Sequence, residues 1–355
     1  MTDPAHTFAT MKRGIILMNL GSPDSTEVKD VKRYLDEFLM DERVIDYPYL
    51  LRLLLVRGII VPFRSPKSAA AYKSIWWNEG SPLIVLTKQL QLALQEQVTE
   101  PVEIAMRYGN PSVKLAYENL AKQGVEEVIA VPLYPHYAMS SYETAVEYAK
   151  EVYKKGNYPF KLEFIRPYYD EANYLEALAD SIKPYLRQDY DQILFSYHGV
   201  PERHIKKGDI TGQHCLKVEN CCEVDSPAHK QCYRHQCWVT TQRIAAMLNI
   251  PEGKFGMSFQ SRLGREEWLK PYTAKRLKEL PGERVKKLLV ACPAFVSDCL
   301  ETLEEIAEEG KHEFMEAGGE SFTMIPCLNV HPLWVKAISG WVQQVKQGNT
   351  SMILQ

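Results

Sequence analysis

Eight short hydrophobic runs rich in Val, Ile, Leu and Phe recur along the chain, and longer segments of helical character separate them. The runs cover residues 14–20, 102–106, 128–133, 162–165, 192–195, 255–259, 288–291 and 322–325. Near-continuous apolar strands that alternate with helices are typical of parallel sheets covered by helices on both faces. We therefore predict an α/β protein of two doubly wound domains, residues 13–186 and 187–345, each built on four strands.

Polar, glycine or proline residues follow almost every predicted strand. These turns cover residues 19–23, 107–111, 134–137, 196–199, 260–262 and 293–295. In open α/β sheets, ligands bind beyond the carboxyl ends of the strands. We therefore expect the turns to converge on a cleft between the two domains, although any one of them alone would be only a turn former.

Composition narrows the class of protein. The 355 residues are 45% hydrophobic and 25% charged, which suits a globular chain of about two domains. The formal net charge is −3 and the basic residues are scattered, so we expect no nucleic-acid partner. The N-terminal residues do not resemble a signal peptide, so we expect a cytoplasmic location. Neither a dinucleotide fingerprint after the first strand nor a Walker A loop is present.

The longest apolar stretch covers residues 47–63 and is interrupted by Arg52 and Arg57. It is too short for a transmembrane helix, which needs about 20 mainly apolar residues. One interpretation is a core helix whose arginines point outward. The other is an exposed apolar lip over a pocket, able to rest on a membrane surface and to receive an apolar ligand.

The residues that are candidates for catalysis lie in the second half of the chain. His198 comes just past an apolar strand, where an imidazole could exchange protons near neutral pH, unless it is a structural histidine. Residues 298–309 are predicted to form a helix, and Glu301, Glu305 and Glu309 recur there at intervals of four. This stripe is either a solvated helix face or a path that guides a divalent cation or protons.

Several strings resemble motifs of the ferrochelatases, in the order that family has them. They are residues 17–23 (LMNLGSP), 106–109 (MRYG), 196–201 (SYHGVP), 259–269 (FQSRLGREEWL) and 295–303 (FVSDCLETL). The resemblance extends over residues 13–342. It implies a chelatase-type fold of two Rossmann-like domains, with a porphyrin held in the cleft and Fe²⁺ inserted to give haem.

The resemblance also implies roles for individual residues. His198 matches the catalytic histidine and Glu301 the catalytic glutamate, both also as ligands of Fe²⁺. Glu305 and Glu309 of the acidic stripe are candidates for a relay to them. Residues 47–63 match the active-site lip, which strengthens the membrane-surface interpretation. The porphyrin site is implied to include Leu20, Arg64, Tyr72, Ser81, Arg107, Tyr108, Gln260, Ser261, Trp268 and Phe295. Coproporphyrin as the substrate, insertion of cobalt into another tetrapyrrole, and a non-catalytic haem or metal carrier are the alternatives.

A cysteine-rich segment, residues 213–237, holds five of the eight cysteines: Cys215, Cys221, Cys222, Cys232 and Cys237. Because disulfides are unusual in the cytosol, this density indicates metal binding, although the spacing does not fit a zinc ribbon. Some bacterial ferrochelatases are similar in carrying a [2Fe-2S] cluster on an internal insertion, which four thiolates could ligate. A zinc site and unligated cysteines remain the alternatives.

Overall fold

Two parallel sheets of four strands form the centre of the protein in the computed structural model, which describes residues 11–262, 264 and 266–355. The first contains β1 (Arg13–Asn19), β2 (Val102–Met106), β3 (Glu127–Pro132) and β4 (Lys161–Phe164) in the order β2-β1-β3-β4. The second contains β5 (Gln192–His198), β6 (Phe255–Gln260), β7 (Lys287–Ala291) and β8 (Ser321–Met324) in the order β6-β5-β7-β8. The equivalent strand orders confirm two similar parallel-sheet units and all eight predicted strands.

Helices cover both sheets. Those of the first half are α1 (Val28–Leu39), α2 (Tyr49–Leu55), α3 (Val61–Ile75), α4 (Pro82–Gln95), α5 (Val113–Lys122), α6 (Thr144–Gly156) and α7 (Ala172–Ile182). Those of the second half are α8 (Glu202–Gly208), α9 (Tyr233–Met247), α10 (Thr273–Glu279), α11 (Leu300–Leu303), α12 (Lys311–Glu316) and α13 (Pro332–Lys346). Short 3₁₀ turns lie at Tyr185–Arg187, Pro227–Gln231 and Leu280–Glu283, and π-helical turns at Val56–Ile60, Met139–Glu143 and Glu305–Gly310.

The two halves share one continuous hydrophobic core. Ile15 of β1 and Ile193 of β5 are both fully buried in the same cluster. The last helix, α13, returns to the first half and packs against α7 and α4. Beyond it, Ile353 forms an antiparallel bridge with Ile165, next to β4. The boundary between residues 186 and 187 stays a prediction, since strand order alone does not show where one folding unit ends.

The apolar stretch 47–63 is not a core helix with two outward arginines, since Arg57 is exposed and pairs with Asp36 but Arg52 is not exposed. Arg52 is buried, and its Nη1 donates to the backbone oxygens of Ile45 and Tyr47 at 3.1 and 3.2 Å. Leu50 and Leu54 are instead 71% and 70% exposed. The reversal occurs because the buried guanidinium satisfies the loop that precedes α2. Within the part of the chain that the structure describes, no helix is long and apolar enough to cross a membrane.

Residues 298–309 do not form one regular α-helix as the sequence predicts. The α-helical turn α11 gives way to a π-helical turn, in which Glu309 N donates to Glu304 O at 2.9 Å. A π turn holds more residues than an α turn, so a spacing of four no longer marks one face. Glu305 is accordingly half-buried, whereas Glu309 is exposed.

Candidate active site

His198 is the last residue of β5, paired in register with Gln260 of β6. Its Nδ1 lies 2.7 Å from the backbone oxygen of Gly199. Because a carbonyl oxygen only accepts hydrogen bonds, Nδ1 carries the hydrogen in this contact. The neutral imidazole therefore keeps an unprotonated Nε2, which is the form that can act as a base.

Aromatic side chains that the sequence predicted for the site gather around His198. The ring of Phe295 lies 6.3 Å from the imidazole in an edge-to-face arrangement. Trp268 pairs with Pro201 through an isolated bridge and lies beside Gly199. A Cβ at Gly199 would be 2.7 Å from the backbone oxygen of Gln260 and 3.2 Å from the Trp268 ring, so only glycine permits this approach.

Ser261 holds the carboxylate of Glu305 with two hydrogen bonds. Its backbone N–H donates to Oε1 at 2.6 Å and its hydroxyl donates to Oε2 at 2.5 Å. Ser261 adopts φ +66°, a left-handed conformation that is uncommon outside glycine. Burial raises the pKa of Glu305 and the Glu301 carboxylate adds to this rise, while Ser261 and the charge of His198 act against it. Glu305 therefore interacts electrostatically with both His198 and Glu301.

Glu301 lies on α11, which contacts α3 of the first half. Gln260 Nε2 donates to the backbone oxygen of Glu301 at 2.6 Å and so joins the end of β6 to α11. The negative charge of Glu301 contributes, after burial, to the raised pKa values of Tyr34 and Tyr72. Burial also raises the pKa of the Cys299 thiol, with Glu301 as the next cause, so this thiol is protonated at neutral pH.

Arg107 is held in a network of its own half. Its Nη2 pairs with Asp41 at 2.5 Å, its Nε donates to Thr144 at 2.8 Å, and its guanidinium lies 4.3 Å from the ring centre of Tyr108. Tyr108 is fully buried and donates to the same Asp41 oxygen at 2.9 Å. Burial raises the pKa of Asp41, but hydrogen bonds and the Arg107 charge leave it below its ordinary value. The charge of Arg107 is therefore balanced within the protein.

The remaining predicted residues of the first half are spread more widely. Leu20 follows β1 and is half-buried, and its backbone oxygen accepts from Tyr108 N at 2.7 Å. Ser81 is buried at the start of α4. Arg64 lies on the exposed side of α3. Tyr72 is buried and meets Tyr34 edge to face at 6.3 Å. Helix α3, which carries Arg64 and Tyr72, contacts α11.

All five thiols of the cysteine-rich segment are buried. Arg234 Nη1 lies 3.4 Å from Cys221 Sγ and 3.6 Å from Cys222 Sγ. Burial raises the pKa of the Cys222 thiol to about 12, although Arg234 lowers it. Burial also raises the pKa values of the Cys215 and Cys232 thiols, which lie in the same hydrophobic cluster. Among the described residues, no three or more Cys, His, Asp or Glu side chains are already arranged to hold a metal ion.

A comparison with protein families identifies the chain. Residues 12–346 match the family model described as ferrochelatase. The chain belongs to the ferrochelatase family. A ferrochelatase of Pseudomonas entomophila (strain L48) is 52% identical over 329 residues, covering 92% of this chain and 97% of that protein. A ferrochelatase of Ectopseudomonas mendocina (strain ymp) is 50% identical over 335 residues, covering 94% and 98%.

Solved structures agree at the level of the fold. SirB from Bacillus subtilis with Fe³⁺ superimposes with a TM-score of 0.53 at 13% identity, covering 97% of this chain and all of that one. A sirohydrochlorin chelatase SirB in complex with cobalt gives 0.51 at 12% identity, with the same coverage. The ferrochelatase sequence therefore adopts a chelatase-type fold, as its motifs imply.

Two further residues contact the candidate site residues without having been predicted from the sequence. Tyr34 of α1 contacts Tyr72, and Asp41 joins Arg107 to Thr144. Tyr34 had a weak signal, since it lies four residues before Phe38 on one face of a helix. Asp41 had none, because its partners are 66 and 103 residues away along the chain.

Proposed function

We propose that this ferrochelatase inserts Fe²⁺ into protoporphyrin IX to give protohaem and two protons, as the last step of haem biosynthesis. The observation that carries the proposal is the place of His198: its Nδ1 donates to Gly199 O, and it pairs in register with Gln260. The next residue, Ser261, holds the carboxylate of Glu305. Porphyrin and ferrous iron are the substrates. The family match and the names of the relatives favour this reaction over cobalt insertion.

The reaction needs a base and no electron donor. Two pyrrole N–H bonds break, Fe²⁺ forms bonds to the porphyrin nitrogens without changing its oxidation state, and two protons leave. His198 Nε2 accepts a pyrrole proton, because Nδ1 already carries the hydrogen donated to Gly199. The carboxylates of Glu301 and Glu305 stabilise the resulting imidazolium and pass protons onward, with Glu301 also able to bind the incoming iron.

The walls of the cleft supply the distortion that insertion needs. A flat porphyrin keeps its nitrogen lone pairs in the ring plane, whereas a bent ring exposes them to the metal. Phe295 and Trp268 on the side of His198, and Tyr72 on the side of the first half, provide apolar area for this grip. Arg64, on the exposed side of α3, is free of the network that neutralises Arg107 and is our candidate for the propionates.

The test of this function is His198→Ala, assayed anaerobically with Fe²⁺ and protoporphyrin. We expect no detectable haem, since the base is lost, with a thermal unfolding curve close to that of the wild type. His312→Ala is the matched control, because that histidine is exposed on α12 and pairs only across one helical turn with Glu316. Turnover by His198→Ala at the rate of His312→Ala would refute the assignment. Parallel assays with coproporphyrin and with Co²⁺ would define the substrate range.

A second proposal concerns the cysteine-rich segment, which we infer to bind a [2Fe-2S] cluster through four of its thiols. Five buried thiols in one short segment, with Arg234 beside Cys221 and Cys222, form a set of soft donors with a cation to balance thiolate charge. Such a cluster would supply binding free energy to folding. Adjacent Cys221 and Cys222 are poor partners on one iron, so we expect one of the five thiols to be spare.

The cluster is tested on protein purified without oxygen. We expect a reddish protein with about two iron and two sulfide per chain, as the cluster type requires. Single serine substitutions of the five cysteines should divide them into four whose loss bleaches the protein and one whose loss does not. Colourless protein that contains zinc or no metal would refute the cluster and leave the iron-insertion proposal standing.

We further propose that the lip rests on a membrane surface. Leu50, Leu54 and Phe63 are 71%, 70% and 80% exposed on one short segment. Replacing all three with serine should abolish sedimentation with lipid vesicles, with little effect on stability because the side chains are already in solvent. Leu92→Ser is the control, since that leucine is 65% exposed on α4. Equal vesicle binding by the lip variant and the control would refute the proposal. A cytoplasmic location stays a prediction.

A further inference from the structure

Helix α9 connects the cysteine-rich segment to the strand that presents His198. It begins at Tyr233, directly after Cys232, which occupies its N-cap position. The hydroxyl of Tyr233 donates to the backbone oxygen of His198 at 2.9 Å. Two turns further along α9, Thr241 shares a hydrogen bond of 2.8 Å with the hydroxyl of Tyr197. Two consecutive residues at the end of β5 are therefore held by one helix.

Tyr233 has little freedom to move independently of its surroundings. Its side chain is 5% exposed, with the ring 6.5 Å from Phe259 of β6 and 6.0 Å from His136. Exchanging the bond to His198 for water would require this packing to open. A shift of the first turn of α9 is therefore passed to the peptide that follows His198.

The position of that peptide matters for the imidazole. The backbone oxygen of Gly199, the next residue, accepts the hydrogen from His198 Nδ1. Gly199 N donates to the backbone oxygen of Gln260 at 2.8 Å, so the peptide is fixed on that side by the sheet. On the other side it is fixed by Tyr233. If this second support is lost, the contact that selects the Nδ1–H tautomer should weaken.

At the other end, the start of α9 is tied to the thiols. Cys232 is 1% exposed in the same hydrophobic cluster as Cys215, and its backbone N–H donates to the backbone oxygen of His229 at 3.3 Å. Cys215 is itself anchored, because its backbone N–H and that of His214 donate to the carboxylate of Asp209 at 2.9 and 2.8 Å. Shared packing with Cys215 and the bond to His229 therefore tie the first residue of α9 to the cysteine-rich segment.

We propose that Tyr233 is a positioning residue through which the cysteine-rich segment holds His198 in its base-competent tautomer. The inference rests on the proposed function of His198 as the base. It gives the segment an effect on turnover as well as on folding, without any contact between the thiols and the porphyrin.

The primary test is Tyr233→Phe, which removes the hydroxyl and keeps the ring. We expect kcat for iron insertion to fall about five- to tenfold, as for loss of one ordinary hydrogen bond, with the porphyrin KM unchanged. Porphyrin affinity measured by fluorescence without added metal should also be unchanged. Tyr142→Phe is the matched control, because that buried hydroxyl donates to the backbone oxygen of Ile165 at 2.7 Å in the other half. Equal kcat values for the two variants would refute the proposal.

Coupling to the thiols is tested with Cys232→Ser in the wild-type and Tyr233→Phe backgrounds. If the segment acts through Tyr233, the serine substitution lowers kcat in the wild type but has little further effect in Tyr233→Phe. If the fall in kcat of the double variant equals the product of the falls in the two single variants, Cys232 and Tyr233 act independently, and the coupling is refuted.

A readout independent of turnover separates this inference from the proposed function. In protein labelled with ¹⁵N-histidine, the ring signals of His198, assigned with His198→Ala, should show the Nδ1–H tautomer. Tyr233→Phe should give a mixture of tautomers, and Tyr142→Phe should not. Unchanged signals in Tyr233→Phe would overturn the inference even in an active enzyme. The expected change in a protein unable to insert iron would overturn the proposed function alone.

Discussion

Removing the hydroxyl of Ser261 should loosen Glu305 and thereby slow turnover. The wild-type carboxylate receives one hydrogen bond from the backbone N–H and one from the hydroxyl, at 2.6 and 2.5 Å. Ser261→Ala deletes the second bond and leaves the backbone in place. The perturbation is therefore confined to one carboxylate that interacts with His198.

The size of the effect follows from two contributions. A hydrogen bond to a charged group contributes about 1.5–3 kcal/mol to stability, so Ser261→Ala should lose about that much. The residue also has φ +66°, a conformation that costs about 1 kcal/mol with a Cβ present. Ser261→Gly loses the same hydroxyl but relieves this strain, so the glycine variant should be about 1 kcal/mol more stable than the alanine variant.

Urea unfolding gives the stabilities, and anaerobic iron insertion gives kcat. We expect kcat to fall about tenfold in both variants, because a misplaced carboxylate loses about 1.4 kcal/mol of transition-state stabilisation. The pH profile of kcat should shift, since the Ser261 hydroxyl bond lowers the pKa of Glu305 and its loss lets burial raise that pKa further. An alanine variant as stable as the wild type with an unchanged pH profile would refute the reasoning. So would a glycine variant less stable than the alanine variant.

Three further predictions follow from other contacts. Glu301→Gln should reduce kcat far more than Glu308→Gln, because Glu308 is exposed; equal effects would make the acidic group a solvated face. Burial raises the pKa of Asp46, but ion pairs with α8 outweigh it and lower this pKa to about 2. Asp46→Asn should therefore lower the free energy of unfolding by about 1 kcal/mol near neutral pH, after allowance for solvent screening. The difference between variant and wild type should vanish as pH falls from 3.8 towards 2, and a difference that stays constant with pH would contradict this. Deleting residues 350–355 should cost about 3 kcal/mol in urea unfolding, since Met352 and Ile353 are buried; an unchanged midpoint would show that the tail adds nothing.

Much of the fold could be predicted because each strand has a recognisable pattern in its own short stretch of sequence. A strand buried on both faces must be apolar at nearly every position, as β1 and β3 are, so its run stands out without knowledge of its neighbours. The location of the candidate site could be predicted for a related reason, because His198 and Gln260 lie at the carboxyl ends of neighbouring parallel strands. The iron-insertion chemistry came from motifs that resemble a known family and not from periodicity.

The helix of Glu301 shows where local pattern stops being informative. A spacing of four residues predicts one face only if every turn is α-helical. The π turn at Glu305–Gly310 changes that geometry, directing Glu305 to Ser261 and leaving Glu309 exposed. The exposed leucines of the lip have a similar origin, because Arg52 satisfies backbone oxygens that the sequence pattern could not assign to it.

The strands, the two repeated units and the family can be recognised in the sequence alone. The pairing of distant residues became known only from the structure: Tyr233 with the backbone of His198, Asp41 with Arg107, and α13 with the helices of the first half. The physical reason is that a strand or helix needs a particular spacing of apolar and polar residues within one short segment. That spacing can be recognised in the sequence of the segment alone. A hydrogen bond between residues far apart along the chain depends on where packing places both, and neither residue alone encodes that position.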